Sequence, residues 1–378
     1  MTSNANEANS IPSLKETEAE ERYYMASSWA LMRRRFSKHK LAVFGVVVLS
    51  IAYVLAIFAG FFSTADPAYR HKKHLFAPPT AIRIIHDGKL HRPFVYGLKS
   101  SRHPVTRANM FELDKEQIHP LKVFVTGYEY SVLGLFSSRI HLLGVEDPGV
   151  IFLFGTESLG RDMFSRVLHG ARVSLSIGLV GVFLSFILGS LLGGLSGYFG
   201  GWVDMFLQRV IEFLQSIPTL PLWMGLAAAV PITWPQTRTY FMITIILSIL
   251  GWTGLARVVR GKLLQLRNED YVMAAQVYGA SDIRIITRHL LPGFMSYLIV
   301  HLTLAIPYMI LGETALSFLG IGLRPPAVTW GVMLQQAQNV RTVVMSPWLL
   351  LPGLCVVIVV LCFNFVGDGL RDAADPYK

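Results

Sequence analysis

Residues 270–292, DYVMAAQVYGASDIRIITRHLLP, decide how the rest of the chain is read. They form a polar, basic island between two strongly apolar segments, so the surroundings read as a membrane scaffold that presents this island. Locally, Asn268 is placed to cap a short helix through Tyr278, Gly279 to end it in the left-handed conformation, and Ser281 to cap a second helix that stops before Pro292. The first helix presents the small residues Ala274 and Ala275 beside Val277 and Tyr278. The second continues from Ala280, Ser281 and Asp282, sets Arg284 and Arg288 one turn apart, and leaves Ile285 and Ile286 available for burial. An element of this shape fits a groove on another protein; a connector packed on its own bundle would carry the same local pattern.

Outward from the island the chain is apolar. Of 378 residues, 52% are apolar and 15% charged, and the mean hydropathy is +0.46, too apolar for the two or three soluble domains this length could hold. Several apolar runs reach about 20 residues, the length at which a helix rising about 1.5 Å per residue crosses a hydrocarbon core about 30 Å thick. The net charge of +10 is spread over tails and loops. That distribution points to membrane topology and lipid headgroups and away from nucleic acid. Cys355 and Cys362 lie in one apolar run, about 10 Å apart along a helix and outside disulfide reach. The N-terminus opens MTSNANEANS with an acidic stretch behind it, so no cleaved signal peptide is expected.

Residues 1–40 are expected to be a cytoplasmic tail. Ser13 and Glu16 have capping-box spacing, and from Ser27 an interfacial helix sets Trp29, Met32 and Phe36 on one face, with Arg33, Arg34, Arg35, Lys38 and Lys40 supplying charge. The first span is 41–62, running outward because residues 22–40 carry six Lys/Arg and no acid. Residues 63–170 form an extracytoplasmic insertion with some β-structure, marked by alternating stretches at 121–125 and 139–145. Its 14 Lys/Arg do not overturn the orientation, because long loops translocate largely regardless of charge. Its histidines (His71, His74, His86, His91, His103, His119, His141 and His169) form no HxH or HExxH pattern, and no metal site is assigned.

Residues 171–366 hold the remaining spans, at 173–198, 205–230, 240–256, 294–319 and 347–366, with a cytoplasmic loop at 257–293 and a cytoplasmic tail at 367–378. Gly181, Ser185, Gly189, Gly193 and Gly197, continuing to Gly201, put a small residue at every fourth position of the second span, a stripe along which helix backbones can approach closely. Pro218 and Pro221 predict a kink or break in the third span, and Pro307 lies inside the fifth. Arg257, Arg260, Lys262, Arg267, Arg284 and Arg288 cluster around the island. The 231–239 loop has only Arg238, and residues 320–346 only Arg324 and Arg341, so the island and both termini are expected on the cytoplasmic side.

The run Ala274-Ala275-x3-Gly279-x9-His289-x-Leu291-Pro292 resembles the EAA loop of ABC importer permeases, with Met273 at the glutamate position and His289 at the isoleucine position. Four further stretches are similar to the second permease of dipeptide, oligopeptide and nickel importers: FGTESLGRDMFSRVLHGARVSL (154–175), GYFGGWVD (197–204), LGETALSFLGIGL (311–323) and GDGLRDAADP (367–376). The resemblance implies an all-α polytopic membrane protein with six transmembrane helices in the type I ABC importer fold, here with an insertion between helices 1 and 2. It implies a bacterial inner-membrane location, a homologous second permease, two ABC ATPase subunits and an extracytoplasmic solute-binding protein. In such importers the EAA loop docks into the ATPase, which makes Ala274, Ala275, Tyr278, Gly279, Ala280, Ser281, Asp282, Arg284, Arg288, His289 and Pro292 the coupling residues. No cofactor is expected in this chain. Gly261-Lys262 is followed by Leu263 and forms no phosphate cradle, so ATP and Mg belong to the partner ATPases.

Peptides are the expected cargo, with nickel, opines or another small solute as the alternative. Three readings from other classes compete. Gly194-Leu195-Ser196-Gly197 matches the GxSG pattern of intramembrane serine proteases, with His301 as an imaginable base, but Ser196 belongs to the small-residue stripe. An aspartyl intramembrane protease would want GxGD, and Asp368 follows Phe365-Val366-Gly367. A passive channel would have no use for the island. Charges inside spans are functional candidates by default. Glu212 is expected to pair with Arg209 or Arg371, and Glu313 to face either the pore or the other permease. His301, Gln215 and Asn364 are candidate helix-to-helix hydrogen-bonding groups.

Overall fold

The computed structural model describes residues 28–102, 104, 109–132 and 134–374. The Ser13–Glu16 capping box, the Trp29 side chain, His103 and the last residues of the tail motif lie outside the described residues. The chain enters through α1 (Ser28–Lys38), turns at His39 and continues as α2 (Lys40–Ile57) and, after a break at Phe58, the short α3 (Ala59–Phe62). His39 makes the turn by capping α2, its Nδ1 accepting the Ala42 N–H at 3.1 Å.

The insertion then folds as two antiparallel β units. One is a sheet in the order β1 (Arg83–His86), β2 (Lys89–Arg102), β3 (Asn109–Pro120); the other is a ribbon of β4 (Lys122–Val132) and β5 (Phe136–Gly144). The alternating stretches at 121–125 and 139–145 fall in this ribbon, where Val125 pairs with His141 and Thr126 with Ile140. The ribbon sits on the end of α3: His141 Nδ1 is 2.7 Å from the Gly60 carbonyl, and the Tyr130 ring fills the place a Cβ of Gly60 would take.

The chain leaves the insertion through the loop at 154–162, whose backbone is held by side chains. Arg161 Nε donates to Glu157 at 2.5 Å, Gln336 donates to the other oxygen of that carboxylate, and Trp348 Nε1 donates to the Thr156 carbonyl at 2.9 Å. Burial pushes the Glu157 carboxyl up, but Arg161, Arg166 and Gln336 outweigh it and hold the group below the usual carboxylate range.

Asp162 caps α4 (Met163–Phe199), its Oδ2 accepting the Ser165 N–H at 2.8 Å. The helix thus starts at Met163, seven residues before the expected end of the insertion at 170. Its first turns are polar, and Arg166 and Arg172 donate to the carbonyls of Pro67 and of Ala56 and Ile57. A hydropathy reading passes over such turns.

After α4, α5 (Gly201–Ser216) and α6 (Thr219–Ala228) are bent by 85° at Ile217-Pro218, where two prolines deny the helix its donors. Next comes α7 (Gln236–Leu266), which runs ten residues past the expected end of that span at 256 and carries Arg257, Arg260 and Lys262 on helix. The island follows as α8 (Asp270–Val277) and α9 (Asp282–Arg284), with a π-helical turn (Ile285–Leu290) and a 3-10 turn (Leu291–Phe294) leading into α10 (Met295–Phe318). Two short helices, α11 (Trp330–Leu334) and α12 (Val340–Met345), precede α13 (Leu351–Ala374). The tail motif is therefore helical as far as Ala374, continuous with the last span. Among the described residues five helices are long and apolar enough to cross a membrane, or six if the bent pair counts as one span.

At the centre of the bundle α4 packs on α7 and α10. A Cβ at Gly193 would lie 2.4 Å from the Ala256 carbonyl oxygen, one at Gly197 2.7 Å from that of Arg260, and one at Gly189 2.9 Å from the Leu255 Cβ. Gly181 faces Met309, and Ser185 Oγ lies 3.5 Å from the Ser248 carbonyl. Gly201 is not part of this line: Gly200 ends α4 and Gly201 opens α5. The bundle has an insertion end, where α3 meets the β4–β5 ribbon, and an island end, where α7 leads into residues 270–292.

Candidate functional site

The island is fastened to the bundle by apolar residues on one side and bare on the other. Val272, Ile285, Ile286 and Leu290 are buried in one cluster with Leu255, Val259 and Leu263 of α7 and Leu298 of α10. On the opposite side Tyr271, Met273 and Ile283 are exposed, and Val277 and Tyr278 are 87% and 90% exposed. Burying an apolar side chain of this size is worth about 1.5–3 kcal/mol. A loop exposing five of them together carries a surface suited to contact with another chain.

Gly279 makes the corner with φ +74°. Its N–H donates to the Gln276 carbonyl at 2.9 Å and the Ala280 N–H to that of Ala275 at 3.0 Å, the paired bonds of a Schellman ending. Ala274, Ser281, Asp282, Arg284, Arg288 and Pro292 are exposed, and Ala275, Ala280 and His289 are half-buried.

Three local expectations change. The residue before α8 is Glu269 rather than Asn268, and it makes no side-chain cap bond. Ser281 stands at the start of α9 but caps nothing with its hydroxyl. The second helix does not stop before Pro292. The Leu291 N–H reaches back to Ile286, one residue further than in an α-helix. This wide turn absorbs a proline that cannot donate and carries the helix on into α10.

Behind the island lies a polar latch that sequence reasoning missed. Tyr198, at the end of α4, donates its hydroxyl to Asp282 Oδ1 at 2.8 Å and accepts from Gln276 Nε2 at 3.1 Å, so one side chain holds both halves of the island. One turn away Arg260 of α7 grips Asp204 of α5 with two bonds, Nε to Oδ1 at 2.5 Å and an NH2 to Oδ2 at 2.7 Å. Ser196 also donates to Asp204, at 2.5 Å, and accepts from Gln208 at 3.2 Å. A bidentate arginine–carboxylate pair fixes orientation as well as distance, so the island, the end of α4, the start of α5 and the end of α7 are tied in one place. Tyr198 and Asp204 both stand in GYFGGWVD, and that motif was the available signal.

The other candidates separate. Ser196 gives its proton to Asp204, whereas His301 lines a crevice with Lys262 and Arg371. The nucleophile–base pair of a serine protease is not formed. Glu212 pairs with Arg209 at 2.8 Å, both side chains being largely exposed. Glu313 does not face a pore or a partner surface: it is 0% exposed, held by Ser317 at 2.8 Å and Ser174 at 3.3 Å. The reason lies in α11 and the turn before it, which fold back over this part of α10. Trp330 N–H donates to the same Ser174 hydroxyl, and Gly331 lets the backbones of α10 and α11 touch. Gln215 bonds Thr253 at 3.0 Å, joining α5 to α7.

The helices long and apolar enough to cross a membrane form a bundle that carries, at one end, a bare helix–glycine–helix loop, the architecture of a membrane transport subunit. Residues 147–377 match the binding-protein-dependent transport system inner membrane component, and the chain belongs to that family. Residues 27–79 match the N-terminal TM domain of oligopeptide transport permease C. The chain is 39% identical over 231 residues to the dipeptide transport system permease protein DppC of Bacillus subtilis, covering 61% of this chain and 70% of that one. It is 40% identical over 224 residues to the oligopeptide transport system permease protein OppC of Haemophilus influenzae (59% and 70% covered). To OppC of B. subtilis it is 36% identical over 250 residues (66% and 77% covered).

Proposed function

We propose that this chain forms half of the translocation pathway of an ATP-driven, binding-protein-dependent peptide importer and receives force from an ATPase through residues 270–292. The carrying observation is the two-sidedness of the island, apolar and bare at Tyr271, Met273, Val277, Tyr278 and Ile283 yet bolted to the bundle by Val272, Ile285, Ile286 and Leu290. A groove on the ATPase that covers the bare side would move the whole corner as a unit. The latch of Tyr198, Asp204 and Arg260 would pass that motion to α4, α5 and α7.

In this reading the island and both termini are cytoplasmic, in agreement with the Lys/Arg bias of the loops. ATP and Mg are held by two ATPase subunits, a second homologous permease completes the pathway, and a solute-binding protein delivers cargo to the insertion end. The β insertion, with Leu90, Leu135 and Phe136 among its exposed apolar residues, is the surface offered to that binding protein. Peptides are favoured as cargo by the names of the relatives. In a reconstituted complex, a crosslinker at V277C should capture the ATPase; capture of the second permease alone would overturn the coupling role. Uptake of labelled di- and oligopeptides, against nickel as comparison, tests the cargo.

A further inference from the structure

The bare side of the island is apolar at its centre and charged at its edges, with a different sign at each. Tyr271, Met273, Val277, Tyr278 and Ile283 make the exposed centre. Glu269 and Asp270 stand exposed where α8 begins, and Arg284 and Arg288 stand exposed after the Gly279 corner. The segment that carries the arginines turns Ile285, Ile286 and Leu290 into the cluster shared with α7 and α10. Arg284 and Arg288 lie between these buried positions in sequence and on the solvent side in space, facing away from the bundle.

No group of this chain answers the two cations. Among the described residues neither Arg284 nor Arg288 is in an ion pair, and neither are Glu269 and Asp270. Asp282, two residues before Arg284, has its Oδ1 taken by the Tyr198 hydroxyl at 2.8 Å. Arg260 behind the island is satisfied by Asp204, which leaves the outward pair as the contrast. Like charges one turn apart repel and weaken a helical segment; an anion facing both reverses the sign of that effect. Exposed arginines are common, but tyrosine, methionine and arginine gathered on one surface have the composition of an interface. Ile283 and Arg284 are also chain neighbours, so a partner that covers the 74% exposed Ile283 comes against Arg284 as well. Covering an arginine without pairing it leaves an uncompensated charge out of water, which is strongly unfavourable. A partner that fits this surface therefore brings carboxylates to that edge.

We infer that the ATPase groove that receives the island combines an apolar floor with acidic side chains facing Arg284 and Arg288, which hold the docked corner in one orientation. The inference rests on the coupling role proposed above and adds the partner's chemistry at that site. It is tested on the assembled complex in nanodiscs, by following association of the ATPase subunits with the permease pair at low and at high salt. Charges at the edge of an interface act mainly on the association rate and its salt dependence. R284Q/R288Q should slow association about threefold to tenfold at low salt and flatten the salt dependence, whereas R284K/R288K, which keeps both charges, should preserve it. R33Q/R34Q removes the same charge from exposed positions of α1 and should leave rate and salt dependence nearly unchanged. Unaltered association of R284Q/R288Q, or equal losses in R33Q/R34Q, would overturn the inference. R284K/R288K also presents amines that a carbodiimide condenses with a touching carboxyl, the carbodiimide taking up the water released. An amide to an aspartate or glutamate of the ATPase, located by mass spectrometry, supports the acidic wall, and amides confined to this chain overturn it. If V277C captures the ATPase while the arginine variants associate normally, the coupling role stands and only the acidic wall falls. Capture of the second permease alone by V277C removes the coupling role and the inference with it.

Discussion

Gly279 is constrained by its dihedral angle alone. Nothing lies within 4 Å of the place its Cβ would take, yet its φ is +74°. A left-handed residue costs an ordinary side chain about 1–2 kcal/mol, more when it is β-branched. Gly279→Val should therefore leave the chain inserted in the membrane at normal level and abolish uptake, while Gly279→Asn, which tolerates that region, should keep part of it. Normal uptake by the valine variant would show that the corner need not hold its shape. Gly193 is the opposite case, constrained by space. A methyl there meets the Ala256 carbonyl oxygen at 2.4 Å and its Cα at 2.8 Å, both backbone, so α4 and α7 must part. At the adjacent Gly194 the nearest atom is a methyl of Ile286 at 3.4 Å, ordinary contact. Gly193→Ala should lower the thermal stability of the solubilised protein by about 1–3 kcal/mol, the usual cost of overpacking, with Gly194→Ala within about 0.5 kcal/mol of the unmodified chain. Equal stabilities would mean that the helices relax freely along the stripe.

Among the elements, the join between island and bundle depends most on Tyr198. Its hydroxyl bonds both Gln276 of α8 and Asp282 at the start of α9. Tyr198→Phe keeps the ring and removes a bond to a carboxylate, worth about 1.5–3 kcal/mol at most and less at this exposed position. The expected result is a complex that assembles and hydrolyses ATP but spends more ATP per solute moved; a lower uptake with an unchanged ratio would make Tyr198 merely structural. Nothing in the spacing of Tyr198, Gln276 and Asp282 announces this contact, because a hydrogen bond between residues 84 apart in the chain has no periodicity. Legible were the features that repeat or punctuate: apolar runs for the spans, Pro218 for the 85° break, Gly279 for the corner and the alternation that became β4 and β5. The extent of the helices was not legible where polar residues continue them beyond an apolar run, as Arg166 does at the start of α4 and Arg260 at the end of α7. Pro292 misled for a different reason. A π-helical turn just before it takes up the missing donor, and such turns leave no mark in composition.

At the scale of the whole molecule, the insertion stands on the bundle through a few definable contacts, which tells where it can be removed. Thr80 and Phe152 close its base with two bonds of 2.8 Å, Thr80 N–H to the Phe152 carbonyl and Phe152 N–H to the Thr80 hydroxyl. Ala77 and Thr156 repeat the pattern one step nearer the bundle. A short Gly-Ser linker in place of residues 82–149 therefore removes both β units and keeps the closure. A cut beginning at 75 would destroy it. If the insertion receives the solute-binding protein, the shortened chain should reach the membrane and support unstimulated ATP hydrolysis as before, while the affinity for the binding protein falls about tenfold or more, ~1.4 kcal/mol, and its stimulation of hydrolysis is lost. Separate substitution of Leu135 and Phe136 by serine, at the outer turn of the ribbon and away from His141 and Gly60, then distinguishes a docking surface from a brace. A brace would tolerate both changes, because these side chains are 75% and 74% exposed and hold nothing in place. Uptake that survives the deletion at full rate would sink the docking role and leave the permease core as the whole of the transport machinery in this chain.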